Sequence, residues 1–324
     1  MIPYIDLHCD TISALQEKKW HLKDANLQVN LNHLKQGNCM LQCFAMFIHL
    51  KKTKNPCLDC LKMIDYYYQE LEKNKEIAPV FSYNDVLKNQ EKGLISALLT
   101  IEEGGVTENS LELLRIYYRL GVRMICLNWN FINGVGHPNF VYTQRPDFKT
   151  PEEEKGLTEY GIQMVQEMNR LGIIVDVSHL SDKGFYDCIR YSTKPIVASH
   201  SNARSICNHV RNLTDDMILK LKENGGVMGM NFCAAFLADD EAEAEGKDTI
   251  PYLILHMKHI KRIAGAEVIA IGSDFDGIDP DISLKNASLL PRLFDEMRHQ
   301  GFTEEEISMI SYKNFLRVLR KNIG

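Results

Sequence analysis

Apolar residues in this chain come in short runs, and between the runs lie stretches whose apolar positions recur every three or four residues. The runs are YIDLHCD at 4–10, CMLQCFAMFI at 39–48, LISALLTI at 94–101, VRMICLNW at 122–129, GIIVDVSH at 172–179, PIVASH at 195–200, GVMGMNF at 226–232 and EVIAIGSDF at 267–275. Such short runs read as strands, and the amphipathic stretches read as helices. Several helices have legible ends: a polar cap opens Asn109-Ser110 to Gly121 and Thr158 to Gly172, and a glycine closes each. A third helix runs from Pro251 to Gly265, with Leu253, Met257, Ile260 and Ile263 along one stripe.

The eight runs are too apolar to have one face in water, which argues for a parallel sheet covered on both sides by helices. Eight strands alternating with helices predict a single-domain (β/α)8 TIM-type barrel over residues 1–324, ahead of an open doubly wound sheet. The acidic segment LADDEAEAEGKD at 237–248 reads as a solvated loop. The segment 129–155, rich in Asn, Pro and Gly, reads as a long loop that covers a site.

Charge changes the picture by exclusion. A formal net charge of −6 gives no general attraction to nucleic acid or to an anionic membrane surface. No stretch approaches the ~18 continuous apolar residues of a membrane span. The amino terminus, interrupted by Asp6, His8 and Asp10, has no secretory leader pattern. The expectation is a soluble, cytoplasmic protein. Nine scattered cysteines, several inside strand-like runs, suit reduced and partly buried thiols. The one C-x-x-C, Cys57 and Cys60, has no second pair and opens a helical pattern, which argues against a metal or redox role.

In a barrel the chemistry stands at the carboxyl ends of the strands. The runs end in His8 and Asp10, in Glu102 and Glu103 before Gly104-Gly105, in His179, in His200, and in Asp274 with Asp276. Alternate residues of a strand share a face, so His8 and Asp10 aim an imidazole and a carboxylate at one point. His8, Asp10, Glu103, His179 and His200 together suit two divalent ions, because a single zinc site needs only three protein ligands. A carboxylate such as Glu103 can bridge two ions about 3.5–4 Å apart with a hydroxide held between them. Asp274 is left as a proton shuttle. The chemistry expected is hydrolysis.

The blocks DLHCDT at 6–11, EEGG at 102–105, GLTEYGIQMVQEMNRLGIIVDVSH at 156–179, KPIVASHSNARSICNHVRNLTDD at 194–216, GGVMGMNF at 225–232 and IGSDFDG at 271–277 cover most of the chain. In this order and spacing the sequence resembles the renal or membrane dipeptidase family, metallopeptidases of the amidohydrolase-like barrel class. The resemblance implies two zinc ions, with His8 and Asp10 on one, His179 and His200 on the other, and Glu103 bridging both. It implies that Arg211 meets the free carboxylate of a dipeptide, that Asp274 manages the proton and contacts the substrate amino group, and that the protein is a homodimer. Asp276 is then structural.

One position departs from the pattern. Where mammalian relatives carry a histidine thought to stabilise the oxyanion, this chain has Trp129, which offers one N–H and no positive charge. His137, in the same loop, is the candidate to reach back. The sequence thus predicts a zinc-dependent dipeptidase. Another amide or lactone hydrolase on the same two-metal barrel is the alternative, and a non-catalytic barrel that binds peptide or metal is the third reading.

Overall fold

The computed structural model describes residues 1–142, 148–239, 248–279 and 283–324. Its strands are β1 (Tyr4–Asp6), β2 (Cys39–Phe47), β3 (Ile77–Pro79), β4 (Ile95–Glu102), β5 (Met124–Cys126), β6 (Ile174–Asp176), β7 (Val197–Ala198), β8 (Val227–Met230) and β9 (Ile269–Ile271). All pair in parallel, and the pairing of β2 with β4 closes a ring of eight, β1-β2-β4-β5-β6-β7-β8-β9 and back to β1. Each of the eight apolar runs supplies one strand of this ring. The ninth strand, β3, lies outside it. It pairs with the first residues of β4, Ile95–Ala97, while β5 pairs with the last, Thr100–Glu102.

Period-two alternation sorts each strand between two cores. On β4, Leu98 joins the cluster inside the barrel with Leu7, Met124, Ile174, Val197 and Val227, whereas Ala97, Leu99 and Ile101 face the layer under the helices. The helices start and stop as their termini dictate. Ser110 caps Leu111–Arg119, and Thr158 caps Glu159–Leu171, whose end is Gly172 at a φ of 89°. The helix Ile250–Ala264 buries Leu253, Met257 and Ile260 on its inner stripe.

One end of the barrel is closed by the helix Asn314–Ile323. Phe315, Val318 and Leu319 enter the interior cluster, and Arg317 donates to the carbonyls of Gly225 and Glu267, just ahead of β8 and β9. That leaves the carboxyl ends of the strands as the open mouth. The segment 129–155 lies over this mouth in its described part, with Trp129, Asn130, Phe140, Phe148 and Lys149 lining clefts there. Of the acidic run at 237–248, residues 240–247 lie outside the described residues. None of the nine cysteines, all among the described residues, forms a disulfide, and Cys60 is buried in the helix Pro56–Lys73. Among the described residues no helix is long and apolar enough to cross a membrane.

Candidate metal centre and cleft

Five strand ends deliver ligand-type side chains to one point at the mouth. His8 and Asp10 follow β1, Glu102 ends β4, His179 follows β6, His200 follows β7 and Asp274 follows β9. Two of these positions use backbone that non-glycine residues rarely adopt. His179 has a φ of 68° and Asp274 a φ of 64°, a conformation that His and Asp tolerate better than most residues.

Glu102 is the centre of the arrangement. Its Oε2 lies 3.3 Å from His8 Nε2, while its Oε1 lies 3.1 Å from His179 Nε2 and 3.6 Å from His200 Nε2. The two oxygens of one buried carboxylate therefore address different imidazoles. Asp10 Oδ2 and Asp274 Oδ1 each stand 3.8 Å from His8 Nε2.

The imidazoles are held by their far nitrogens. His179 Nδ1 donates to Asn130 Oδ1 at 2.8 Å. His200 Nδ1 donates to Ser199 Oγ at 2.7 Å, and that hydroxyl donates in turn to the buried Asp176. Both Nε2 atoms are left with lone pairs, and they face each other at 3.0 Å with no proton to share. Burial, reinforced by neighbouring positive charge, keeps both rings neutral. Burial alone would depress His8 as well, yet the carboxylates of Glu102 and Asp10 hold its pKa well above the usual imidazole value. These carboxylates favour positive charge at this point.

The donor set fits divalent metal ions. Two trios, His8–Glu102–His200 and His8–Asp10–Asp274, have ligand atoms all within 4.8 Å of one another. His8 Nε2 and Asp10 Oδ1 are buried without a hydrogen-bond partner, which is costly unless something else satisfies them. A histidine tied through one nitrogen to a carbonyl, hydroxyl or carboxylate, with the other free, is the usual arrangement of a metal ligand. Gly277 leaves room for this cradle, since a Cβ there would lie 2.1 Å from Asp10 Oδ2.

Two expectations are corrected here. Glu103 is not among the converging side chains: at a φ of 110° it leaves the strand, and its carboxylate accepts from Gly105 N at 2.8 Å, Trp129 N at 3.1 Å and the Asn133 amide. It pins the loop after β5, and Glu102 stands among the imidazoles in its place. His137 also stays away from the cleft. Its backbone is held by Gly156 and Ser181, and its ring sits near Lys155 and Glu152. His8, Asp10, His179, His200 and Asp274 converge as expected. Asp276 is structural, accepting from Thr11 Oγ1 and Gln28 N, each at 2.7 Å.

Two lobes of one cleft meet over this centre and share Asn130, His179, Cys233 and Phe236. One, of ≈450 Å³, is acidic, with Asp10, Glu17, Glu102, Asp274 and Asp276 around it and Trp129 as part of its wall. The Trp129 ring packs on Phe47 at 5.1 Å and Phe131 at 5.2 Å, between centroids. The other lobe, of ≈380 Å³, contains Arg211. This guanidinium is only 5% exposed, donates to the His200 carbonyl at 3.1 Å, and leaves its Nε without a partner. Among the described residues no carboxylate pairs with it within 4 Å. Asp274 accepts from Asn231 at 2.9 Å, and burial raises its pKa to about 6.

Fold and centre together define a barrel hydrolase built to hold metal ions between imidazoles and carboxylates. Comparison with known proteins gives the family directly: the chain belongs to the membrane dipeptidases (Peptidase family M19), whose pattern it matches over residues 1–323. Dipeptidase 3 of Mus musculus is 32% identical over 335 residues, covering 98% of this chain and 64% of its own length. A crystal structure of the metallopeptidase dipeptidase AC superposes with a TM-score of 0.88 at 27% identity, covering 100% of this chain and 99% of the other. A metallopeptidase from Rhodobacter sphaeroides, solved with a phosphinate mimic of the dipeptide L-Ala-D-Ala, gives a TM-score of 0.87 at 26% identity and 99% coverage of both chains. The chain is thus a dipeptidase by family, a hydrolase of peptide bonds with a metal centre.

Proposed function

We propose that the protein binds two zinc ions at the barrel mouth and uses them to hydrolyse free dipeptides. The observation that carries this reading is Glu102, whose two oxygens face His8 on one side and the His179–His200 pair on the other. When bound, such ions polarise the scissile carbonyl and make the attacking water ionisable at neutral pH. The remaining work falls to the chain's own residues. Arg211 holds the substrate carboxylate bidentately in one lobe. The acidic lobe receives the amino group, with Asp274 at its inner edge. Asp274 takes the proton released by the attacking water and delivers it to the nitrogen of the leaving amine. Trp129 walls the acidic lobe, so this position brings no charged imidazole to the oxyanion. Nine cysteines without a disulfide among them support a reducing, cytoplasmic location, and sizing of the purified protein tests the homodimer.

The test combines metal analysis with turnover. Chelation abolishes hydrolysis, and two equivalents of zinc restore it; full activity with one ion per chain or none refutes the two-ion centre. Arg211→Leu weakens kcat/KM for free dipeptides by ~2–4 kcal/mol, since a buried charged pair loses one partner. Dipeptide amides change much less. Equal losses on acids and amides refute the carboxylate contact.

A further inference from the structure

The lobe around Arg211 is a slot with aromatic walls. Phe148 and His209 lie nearly parallel, with centroids 5.1 Å apart and planes inclined by 19°. Phe236 packs against His209 at 4.6 Å and stands 5.5 Å from the Arg211 guanidinium carbon, and Phe140 backs Phe148 at 5.1 Å. His209 belongs to this wall as an uncharged ring: its Nδ1 accepts from Arg211 N at 3.1 Å, and burial pushes its pKa down to about 3. Phe148 remains 45% exposed although it packs on both Phe140 and His209.

The two features are joined through one residue, since Arg211 lines the lobe and donates its backbone N–H to the wall. A carboxylate seated on Arg211 brings with it the side chain on the same α-carbon. In a dipeptide oriented as above, that side chain belongs to the carboxyl-terminal residue. It lies against the aromatic face made by Phe148, His209 and Phe236, all of which line the lobe with Arg211. Flat rings gain from offset or edge contacts with such walls beyond simple area burial. We propose that this slot makes the protein select dipeptides with an aromatic carboxyl-terminal residue, through Phe148, His209 and Phe236.

The inference rests on the dipeptidase reading and is tested separately from it. The zinc-loaded protein is assayed on Ala-Ala, Ala-Leu, Ala-Phe and Ala-Trp. The expected result is a kcat/KM ~10–100-fold higher for Ala-Phe than for Ala-Ala, with Ala-Leu between them. Phe148→Ala, a change at a half-exposed ring, lowers the Ala-Phe to Ala-Ala ratio by ~3–10-fold, and Phe148→Tyr restores it. Equal kcat/KM for all four substrates overturns the slot while leaving the dipeptidase reading intact, and no turnover of any of them overturns the dipeptidase reading itself. A ratio unmoved in the Phe148→Ala protein, confirmed folded by its unfolding transition, also overturns the slot.

Discussion

Glu102 and Glu103 are adjacent and both buried, and they take part in different machinery, so a matched pair of substitutions separates them. In Glu102→Gln the carboxylate between His8 and the His179–His200 pair becomes neutral. Two dications about 4 Å apart repel by ~16 kcal/mol at an effective dielectric constant of 20, four times the value for unit charges, and only shared anions offset this. Loss of that anion lowers metal affinity by more than the ~10–100-fold typical of an outer hydrogen-bond partner. The unfolding temperature without metal hardly falls, because a glutamine amide can still donate to a free imidazole nitrogen. In Glu103→Gln the pattern reverses. The carboxylate accepts from Gly105, Trp129 and Asn133, and an amide NH₂ turned toward any of these donors costs ~1–3 kcal/mol. With an unfolding entropy of ~0.7 kcal/mol/K for a chain of this size, that amounts to a fall of ~1–4 °C, with metal content unchanged. Metal analysis per chain and a thermal melt with and without chelator read both effects. Metal loss in Glu103→Gln with retention in Glu102→Gln would refute the assignment.

Three further outcomes are expected. Ser199→Ala removes the hydroxyl that fixes the His200 tautomer and weakens zinc binding by ~10–100-fold in a competition titration; an unchanged affinity would show that Asp176 and Ser199 only brace the strands. His256 is fully buried, accepts from Ala203 N and donates to the Leu237 carbonyl, and burial lowers its pKa to about 4. The unfolded state therefore binds its proton first, and stability is full above the unfolded value near 6.5 and is lost as pH falls toward 4, by ~3 kcal/mol in all; urea unfolding of the chelated protein should show a shallower pH slope in His256→Gln, and coincident slopes would reject this source. His137→Ala, away from the cleft, should leave kcat within ~2-fold, the scale of a surface change, and a collapse of kcat would reinstate it as an oxyanion donor.

Much of the barrel was legible because parallel strands buried on both faces leave long apolar runs, and each of the eight runs became a ring strand. β3 was not legible, since Ile77–Pro79 is three residues long and ends in proline. The metal centre was readable where polar residues interrupt apolar runs, as at His8, His179 and His200. Glu102 and Glu103 were harder to tell apart, because sequence adjacency hides which faces inward. A signal existed in LISALLTIEE: Ser96, Thr100 and Glu102 share one parity, while Ala97, Leu99 and Ile101 share the other. The polar parity is the barrel interior. Asn130, Ser199, Asp176 and Asn231, which orient the ligands and Asp274, had no such signal, since their partners come from other strands and loops.

The barrel's seam runs through the metal centre. β1 and β9 meet at the pairing of Asp6 with Ile271, extended by Asp274 N to the His8 carbonyl and by Ser273, whose N–H and hydroxyl both reach Asp6. The first ligand lies eight residues into the chain and the last candidate 274 residues in. During synthesis a ribosome therefore releases His8 and Asp10 long before anything exists for them to share an ion with. The nascent chain offers a cation only weak, incomplete coordination until its last strand docks, so loading coincides with ring closure. Metal held between His8, Asp10 and Asp274 would rivet this seam, and prying β1 from β9 would mean surrendering it as well.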